Sequence, residues 1–292
     1  MGKAERNRAR NARERIAAQQ AAARKAEQRR RLLLISGSIG LVIVIVVGFI
    51  VLKSLAKSPA QAGGGGLPTS VTSAITSVPA STLAAVGTGS LTPANTLPLK
   101  TITDKPLTAS GKPDMLYIGA EYCPYCAAMR WAMAVALSRF GTFGPLKGIH
   151  SSSTDVYPNT ATLTFLNQKY TSKYLTFTPI ENENLNRKVI QNPSKAQMAL
   201  WTKYDSSSTG VGYPFIDFGG KAVLTGPLYV PSVLHGLTWA QIANDLKDPS
   251  SPVAKAVDGA ANYVTASICK MTSNQPASVC AATPITTIEG AL

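Results

Sequence analysis

Hydrophobic positions along the chain fall into one long run followed by shorter, periodic ones. Leu32 to Leu52 is 21 residues long and carries no charged side chain. A helix of that length, with a rise of about 1.5 Å per residue, spans a bilayer's hydrocarbon core, which is about 30 Å thick. The run therefore predicts a transmembrane helix over residues 32–52.

A strand that leads directly into a helix is predicted next. Residues 115–120 are a short apolar run suited to a buried strand, and residues 123–140 then repeat apolar side chains at helical spacing. Gly141 and Gly144 end the helix, and residues 146–153 form a further predicted strand. This order favours two parallel strands joined by a right-handed crossover.

The remaining pattern predicts two strands, a helix, a hairpin and two closing helices. The hairpin turns at Gly219 and Gly220, which suit a primed two-residue turn, and Thr238 caps the helix that follows. These elements cover residues 161–167, 173–181, 193–204, 215–224, 238–247 and 252–267. Residues 99–292 are therefore predicted to form one α/β domain with a central mixed sheet flanked by helices.

Residues 53–98 connect the long apolar run to this domain and differ from it in composition. They contain four consecutive glycines at 63–66 and much Ser, Thr, Ala and Pro, but no aromatic residue and no charge after Lys57. Such a composition is typical of segments that bury too little apolar surface to fold. It predicts a flexible linker with an r.m.s. reach of about 35–40 Å.

Positive charge is concentrated at the start of the chain. The net charge is +14, and residues 1–31 hold 11 Lys and Arg against three Glu. By the positive-inside rule this basic segment is cytoplasmic, and the chain after residue 52 lies outside the cell membrane. Since no aromatics are interleaved with the charges, we expect a topology signal that touches anionic headgroups and no nucleic-acid site.

A cleaved signal peptide is the alternative to a membrane anchor. Residues 60–62, Ala-Gln-Ala, have the small residues of a cleavage site. The apolar run, however, is longer than the usual signal-peptide core of about 7–15 residues, and the site lies well beyond its end. The sequence therefore favours a single-pass anchor, with release after Ala62 as the open alternative.

Two of the four cysteines, Cys123 and Cys126, open the predicted helix as Cys-Pro-Tyr-Cys. Thiols at this spacing can close a small disulfide ring and be reduced again with little backbone movement. A helix start stabilises a thiolate, and such positions lower a cysteine pKa from about 8.5 to between about 3.5 and 7.5. We expect solvent to reach Cys123, which attacks as a thiolate, while Cys126 resolves the mixed disulfide.

A structural disulfide and half of a zinc site are the other interpretations of this pair. A disulfide over so short a loop gains little stability. A zinc site needs a second close pair or histidines, but ten residues separate Cys269 from Cys280, and the two histidines, His150 and His235, lie in different segments. The sequence favours redox chemistry, with no metal and no cofactor.

Cys269 and Cys280 are predicted to form a structural disulfide, since an exported domain lies where disulfides persist. Their loop of about 12 residues contributes about 3 kcal/mol in the chain-entropy model. The alternatives are a second redox pair that passes electrons to Cys123 and Cys126, and unpaired thiols.

The succession of strand, Cys-Pro-Tyr-Cys helix, strand, helix, hairpin and final helix resembles the thioredoxin fold over residues 99–267, and the motif itself is familiar from glutaredoxins. In that superfamily a cis-proline before the third core strand faces the active-site disulfide. The matching residue is Pro214. The side chains that the resemblance implies at the substrate are Tyr122, Pro124, Tyr125, Tyr213 and Pro214.

The segments GAEYCPYC, YLTFTPIE and GYPFIDFGGK, with the late cysteine pair, are similar to a family of anchored exported proteins, the domain of unknown function 929. That family is assigned a thioredoxin-like fold, and the resemblance implies no established substrate. Residues 155–190 form an apparent insertion relative to glutaredoxins, so the resemblance does not imply dependence on glutathione.

The combined expectation is a membrane-anchored, extracytoplasmic thiol–disulfide oxidoreductase that acts on thiols or disulfides of exported proteins. We expect a second protein, such as a membrane-embedded thiol oxidase or reductase, to reset its redox state. Oxidases, reductases and isomerases share the motif, so the direction of the reaction stays open. The alternative is a non-catalytic interaction domain with a permanent disulfide between Cys123 and Cys126.

Overall fold

The computed structural model of the protein describes residues 64–91, 97–207 and 210–292. The predicted basic segment, residues 1–31, and the predicted transmembrane helix, residues 32–52, lie outside this part of the chain, as does the Ala-Gln-Ala site. Among the described residues, no helix is long and apolar enough to cross a membrane.

The described residues contain both strands and helices, in uneven succession along the chain. The strands are β1 (Gly65–Gly66), β2 (Leu99–Thr101), β3 (Thr108–Ala109), β4 (Lys112–Gly119), β5 (Gly141–Phe143), β6 (Lys147–His150), β7 (Ala161–Thr164), β8 (Tyr170–Ser172), β9 (Thr176–Glu181), β10 (Ser206–Ser207), β11 (Gly210–Val211), β12 (Phe215–Phe218) and β13 (Ala222–Thr225). The α-helices are α1 (Thr69–Thr76), α2 (Ala80–Val86), α3 (Pro124–Ser138), α4 (Lys195–Tyr204), α5 (Trp239–Asp245), α6 (Pro252–Met271), α7 (Ala277–Cys280) and α8 (Thr283–Ala291). A short 3-10 helix covers Pro231–Leu234.

Strand β4 is the centre of a mixed sheet with the order β9-β4-β12-β13-β2, and β3 pairs with the start of β4. β4 runs parallel to β9 and antiparallel to β12, with Ile118 opposite Phe215. The remaining neighbours in this sheet are antiparallel. The predicted α/β architecture with a central mixed sheet is thereby confirmed.

Alternate side chains of β4 enter two different hydrophobic clusters, as the period of two in a strand requires. Met115 and Tyr117 pack into the cluster that contains α3 and α6, while Leu116 and Ile118 pack with Trp201 of α4. All four β4 side chains are fully buried. The sheet is therefore covered by helices on both faces.

Helix α3 is buried around its whole circumference. Thirteen of its fifteen residues are buried, many of them alanines that let neighbouring elements approach closely. It packs against α6, in which seventeen of twenty residues are buried. A helix that is apolar on all sides belongs in the interior of a domain, and α3 carries one charged residue, Arg130, in that interior.

The predicted parallel pairing across α3 is wrong. β6, the strand that follows α3 and β5, pairs antiparallel with β1 and β7 in a separate three-stranded sheet. The parallel neighbour of β4 is β9, which comes later in the chain. The apolar pattern located β6 correctly, but the choice of a partner strand depends on packing between distant segments, which a local pattern does not contain.

The prediction of a flexible linker over residues 53–98 also needs correction. Helices α1 and α2 lie inside this range, and their side chains Val71, Ile75 and Leu83 are buried in the main hydrophobic cluster. Asn262 of α6 fastens α2 by donating to the backbone oxygens of Leu83 and Gly87, at 2.9 and 2.8 Å. The small polar residues of the range had masked a helical spacing of a few aliphatic side chains.

Several local predictions are confirmed. Gly219 and Gly220 have φ angles of 63° and 73°, the left-handed values that a primed turn needs. The connection itself is one residue longer than predicted, because Phe218 pairs with Ala222 and leaves Lys221 in the loop. Thr238 forms a capping box at the start of α5, and Ser194 forms another at the start of α4. The predicted disulfide joins Cys269 to Cys280, with an S–S distance of 1.99 Å, and ties the end of α6 to α7.

Replacing Ile75 tests the packing of α1. Since its side chain is fully buried, Ile75→Ala should lower the free energy of unfolding by about 2–5 kcal/mol, as other large-to-small core substitutions do. Denaturant unfolding followed by circular dichroism measures the change. Ser73→Ala, at an exposed position of the same helix, should leave stability nearly unchanged. Equal stabilities for the two variants would support the flexible linker that the sequence predicted.

Asp258 of α6 should make stability depend on pH. Neither carboxylate oxygen has a hydrogen-bond partner among the described residues, and burial raises the pKa of Asp258 to about 8. In the unfolded chain the pKa is about 3.9. The stability that protonated Asp258 contributes is therefore complete below about pH 4 and is lost as the pH rises through 8.

Asp258→Asn should remove this loss, because the amide stays neutral at every pH. We expect the variant to be more stable than the wild type at pH 8, by at least about 1 kcal/mol, and the gain to vanish toward pH 4. Asp248→Asn is the control, because hydrogen bonds from Ser250 lower the pKa of that exposed carboxylate. A constant difference between wild type and Asp258→Asn from pH 4 to 8 would contradict the expectation.

Candidate active site

Cys123 caps the start of the buried helix α3. The chain leaves β4 at Gly119, and Cys123 then takes an extended backbone conformation as the N-cap residue, with Pro124 in the first turn. Its Sγ accepts a hydrogen bond from the backbone N–H of Cys126 at 3.1 Å. The sulfur therefore occupies the place of the oxygen that usually satisfies a free N–H group at a helix start.

The pKa values of the two cysteines are shifted in opposite directions. Burial acts to raise the pKa of Cys123, but hydrogen bonds from the side chain and backbone of Cys126 and the charge of Arg130 outweigh it, so this pKa is lowered. Burial and the bond to Cys123 raise the pKa of Cys126 well above its ordinary value. Both are free thiols in the structure. Ionisation of the pair is therefore favoured at Cys123 and disfavoured at Cys126.

The expected access of solvent to Cys123 is corrected by the structure. The residue is only 5% exposed, and Cys126 is fully buried. The partly buried side chains of Tyr122, Tyr125 and Tyr213 pack against the two cysteines and Ala120. We call these three tyrosines the tyrosine cover.

Tyr213 brings the predicted proline loop to the cysteines. The Tyr213–Pro214 peptide bond is cis, and the Tyr213 ring lies edge-on to Tyr122, with 6.3 Å between ring centroids. The Tyr213 hydroxyl donates to Asn182 Oδ1 at 2.5 Å, and its ring packs against Trp201. The structure therefore places Tyr122, Tyr125 and Tyr213 around one pair of sulfurs, although Tyr213 is far along the chain from the other two.

Two loops hold the tyrosine cover from outside. In the loop at residues 151–160, the Ser152 N–H donates to the backbone oxygen of Tyr122 at 2.9 Å, and Tyr157 lies edge-on to Tyr125 at 5.9 Å between ring centroids. In the loop at residues 182–194, the guanidinium of Arg187 lies 3.9 Å from the centroid of the Tyr122 ring.

An ion pair between Arg187 and Asp155, 3.5 Å apart, joins the two loops. Neither residue belongs to a recognisable motif, so no signal in the sequence indicated that they meet.

A buried ion pair lies beneath the cysteines. Arg130 of α3 contacts Glu181, the last residue of β9, through Nε–Oε1 and Nη2–Oε2 distances of 2.8 and 2.6 Å. Both side chains are completely buried. The sequence reasoning missed this pair, although a lone arginine in an apolar helix was a signal that could have found it.

The Cys269–Cys280 disulfide lies at the other end of α3. Arg139, the C-cap residue of α3, donates from Nη1 to Thr265 Oγ1 at 3.2 Å, and Thr265 lies one turn before Cys269 in α6. From Cys123 to Arg139 the helix extends about 24 Å. This separation favours a structural bond over a second redox pair that exchanges directly with Cys123.

Metal-ligating side chains do not gather in the described ranges: no three His, Cys, Asp or Glu residues there could hold an ion together. His150 stacks against Trp239, with 4.4 Å between ring centroids. Glu121, which directly precedes Tyr122, accepts a hydrogen bond from Thr164 at 2.8 Å.

Residues 99–270 match the family model described as Domain of unknown function (DUF929). The match covers more than half of the chain and extends from β2 into the last turn of α6. It includes the central sheet, both cysteines of the candidate site, the Arg130–Glu181 pair and Pro214. No curated protein and no solved structure gives a significant match to this chain.

Opening the tyrosine cover should speed the modification of Cys123. In Tyr122→Ala we expect the rate of alkylation by iodoacetamide, measured on the high-pH plateau, to rise by about threefold or more, because thiolate reactivity depends on access. Mass spectrometry should locate the label on Cys123 and leave buried Cys126 unlabelled. Tyr174→Ala is the control, because Tyr174 packs against the main core and not against the cysteines; an equal rate in both variants would show that Tyr122 does not restrict access.

Proposed function

This chain belongs to the DUF929 family, and we propose that it is a thiol–disulfide oxidoreductase with a thioredoxin-like fold. The observation that carries the proposal is the cap position of Cys123, whose sulfur accepts the Cys126 N–H beside the Tyr213–Pro214 loop. A sulfur held there is favoured as a thiolate, while its neighbour keeps a proton. Those are the two states that a nucleophilic and a resolving cysteine require.

The topology supports the thioredoxin-like part of the proposal. β4 leads into the helix that carries the cysteines, β9 lies parallel to β4, and the β12–β13 hairpin follows the cis-proline. Helix α6 comes after the hairpin and packs against α3. This is the order of elements that the resemblance implies, with one difference in position. The strand parallel to β4 is β9, within residues 155–190 that were expected to be an insertion, while the β1-β6-β7 sheet and the β5-β8 pair are additional.

In the proposed reaction, Cys123 Sγ attacks one sulfur of a partner's disulfide as a thiolate. A bond forms between them, and the partner's other sulfur leaves as a thiolate and takes up a proton. Cys126 then loses its proton and attacks Cys123 Sγ, which forms the Cys123–Cys126 disulfide and releases the first partner sulfur as a thiolate that is also protonated. The partner gains two electrons and two protons, and the two cysteines lose them.

The reverse sequence oxidises a partner dithiol and consumes the Cys123–Cys126 disulfide. In the proposal the partners are exported proteins, and the domain works outside the cell membrane on an anchor formed by residues 32–52. A second protein, such as a membrane-embedded thiol oxidase or reductase, returns the couple to its starting state. The charge pattern of residues 1–52 supports this location.

Substrate contact is assigned to the surface around Cys123. Tyr213 and Pro214 present the backbone of a tight loop beside the sulfur, and Tyr122, Pro124 and Tyr125 form the neighbouring surface. Aromatic side chains at such a place supply apolar contact area at a low cost in conformational entropy. The tyrosine cover must move aside when the partner's sulfur approaches Cys123, since the residue is only 5% exposed.

That burial favours a second candidate function, a thioredoxin-like interaction domain that performs no exchange. In this alternative the cysteines remain joined by a permanent disulfide and the tyrosine-rich surface binds a partner. The reduction potential of the Cys123–Cys126 couple separates the two candidates. A structural bond should have a potential below about −300 mV, whereas a working couple should have a higher one.

Trapping a mixed disulfide tests the proposed exchange. The full-length Cys126→Ser variant lacks the resolving thiol, so incubation with oxidised insulin should give a covalent adduct on a non-reducing gel that dithiothreitol dissolves. Cys123→Ser should give none, because it lacks the nucleophile. If Cys126→Ser forms no more adduct than Cys123→Ser at any pH between 6 and 9, the exchange reaction is excluded.

A further inference from the structure

The Arg130–Glu181 pair is costly for the fold and close to the cysteines. Removing two charges from water costs several kcal/mol per ion, and apolar replacements of buried pairs are often neutral or stabilising. The two side chains nevertheless form a bidentate contact in a region from which water is excluded. A pair of this kind is weak evidence for a role in stability alone.

Arg130 is connected to both cysteines through the backbone. It follows Cys126 by four residues in α3, so the two side chains lie on the same face of the helix in adjacent turns. Arg130 Nη2 also donates to the backbone oxygen of Ala120 at 2.7 Å, and that same oxygen accepts the N–H of Cys123 at 3.2 Å. One carbonyl group therefore links the guanidinium to the residue that carries the candidate nucleophile.

Part of the guanidinium remains unpaired. Arg130 Nη1 is buried and has no hydrogen-bond partner among the described residues, and the same holds for the hydroxyl of Tyr117 on β4. A buried polar group without a partner is destabilising, and its presence in a native structure asks for an explanation. A positive charge that Glu181 does not fully satisfy can act on a negative charge formed nearby, because the surroundings have a low dielectric constant.

We propose that Arg130 is a positioning residue whose charge stabilises the thiolate of Cys123, and that Glu181 sets how strong this effect is. The biological meaning of the inference rests on the proposed exchange function. The direction of the effect agrees with the acidities of the site. Burial has the largest effect on the pKa of each sulfur and raises it, and the contacts between the two cysteines have the next largest. The charge of Arg130 follows these and lowers the pKa of both sulfurs.

The inference has a consequence for the redox couple. Stabilising the thiolate stabilises the reduced form, so the disulfide becomes the stronger oxidant. Arg130 therefore raises the reduction potential of the Cys123–Cys126 couple, and Glu181 reduces that rise by compensating part of the charge. A tenfold change in the equilibrium with a dithiol corresponds to about 30 mV in this two-electron couple.

Charge variants of the pair should move Cys123 in opposite directions. In Glu181→Gln the arginine keeps its charge and loses its counter-ion, so the alkylation rate of Cys123 at pH 6 should rise by at least about threefold, since the thiolate fraction grows as the pKa falls. In Arg130→Met with Glu181→Gln, both charges are gone, and the rate should fall by at least about threefold. The equilibrium constant for reduction of the Cys123–Cys126 disulfide by glutathione should rise in Glu181→Gln and fall in the double variant.

Two further variants serve as controls. Arg139→Met removes the other arginine associated with α3, at its far end beside Thr265, and should leave the alkylation rate unchanged. Arg130→Lys keeps the charge but loses the fork that matches a carboxylate, and should stay within about twofold of the wild type. Circular dichroism checks the folding of each variant, and the two single variants, Glu181→Gln and Arg130→Lys, decide the question if the double variant does not fold.

The inference is overturned if Glu181→Gln and the double variant shift the rate in the same direction, or if neither differs from Arg139→Met. If the double variant does not fold, either of two results overturns the inference. One is an alkylation rate in Glu181→Gln no higher than that of the wild type, and the other is a rate in Arg130→Lys that is lower by threefold or more. Alkylation reports ionisation alone and needs no exchange partner, so this result is separate from the trapping of a mixed disulfide. If no adduct forms but the two charge variants shift the alkylation rate in opposite directions, Arg130 and Glu181 control the ionisation of Cys123 and the protein does not perform the exchange.

Discussion

The burial of helix α3 on nearly all sides is the constraint on which the rest of the structure depends. An apolar helix packed against α6 in the main core cannot shift along its axis without opening that core, so its first turn stays fixed after the end of β4. Cys123 and Cys126 are thereby held beside the Tyr213–Pro214 loop. The same burial deprives Arg130 of solvent, and a counter-ion from β9 takes the place of water.

Much of the fold follows from signals that lie within one element. The spacing of apolar residues after Cys123 predicted α3, the double glycine at 219–220 predicted the hairpin, and Thr238 predicted the start of α5. Each of these signals acts through the backbone within a few residues, because caps and turns are satisfied locally. The order of these elements was also enough to place the cysteine pair at a helix start.

The features that the sequence did not predict depend on partners far along the chain. Helices α1 and α2 are short and rich in small residues. They are stable because α1 packs on α3 and α5 and α2 packs on α6. Glu181 is one carboxylate among many until β9 is placed beside β4. The burial of Cys123 depends on Tyr122, Tyr125 and Tyr213, and two separate loops contact the first two of these rings from outside. The sequence placed the tyrosines at the site, but it did not predict that they cover the sulfur.

The tyrosine cover has a further consequence, for the lifetime of the protein. A cysteine with a lowered pKa is prone to stepwise oxidation by peroxides, and beyond the sulfenic acid the damage is irreversible without a dedicated repair enzyme. Under the proposed exchange, the rings would move aside for a partner and cover the sulfur between encounters, since Cys123 is only 5% exposed in the structure. Shelter of this kind lets an acidic thiol persist in an oxidising environment.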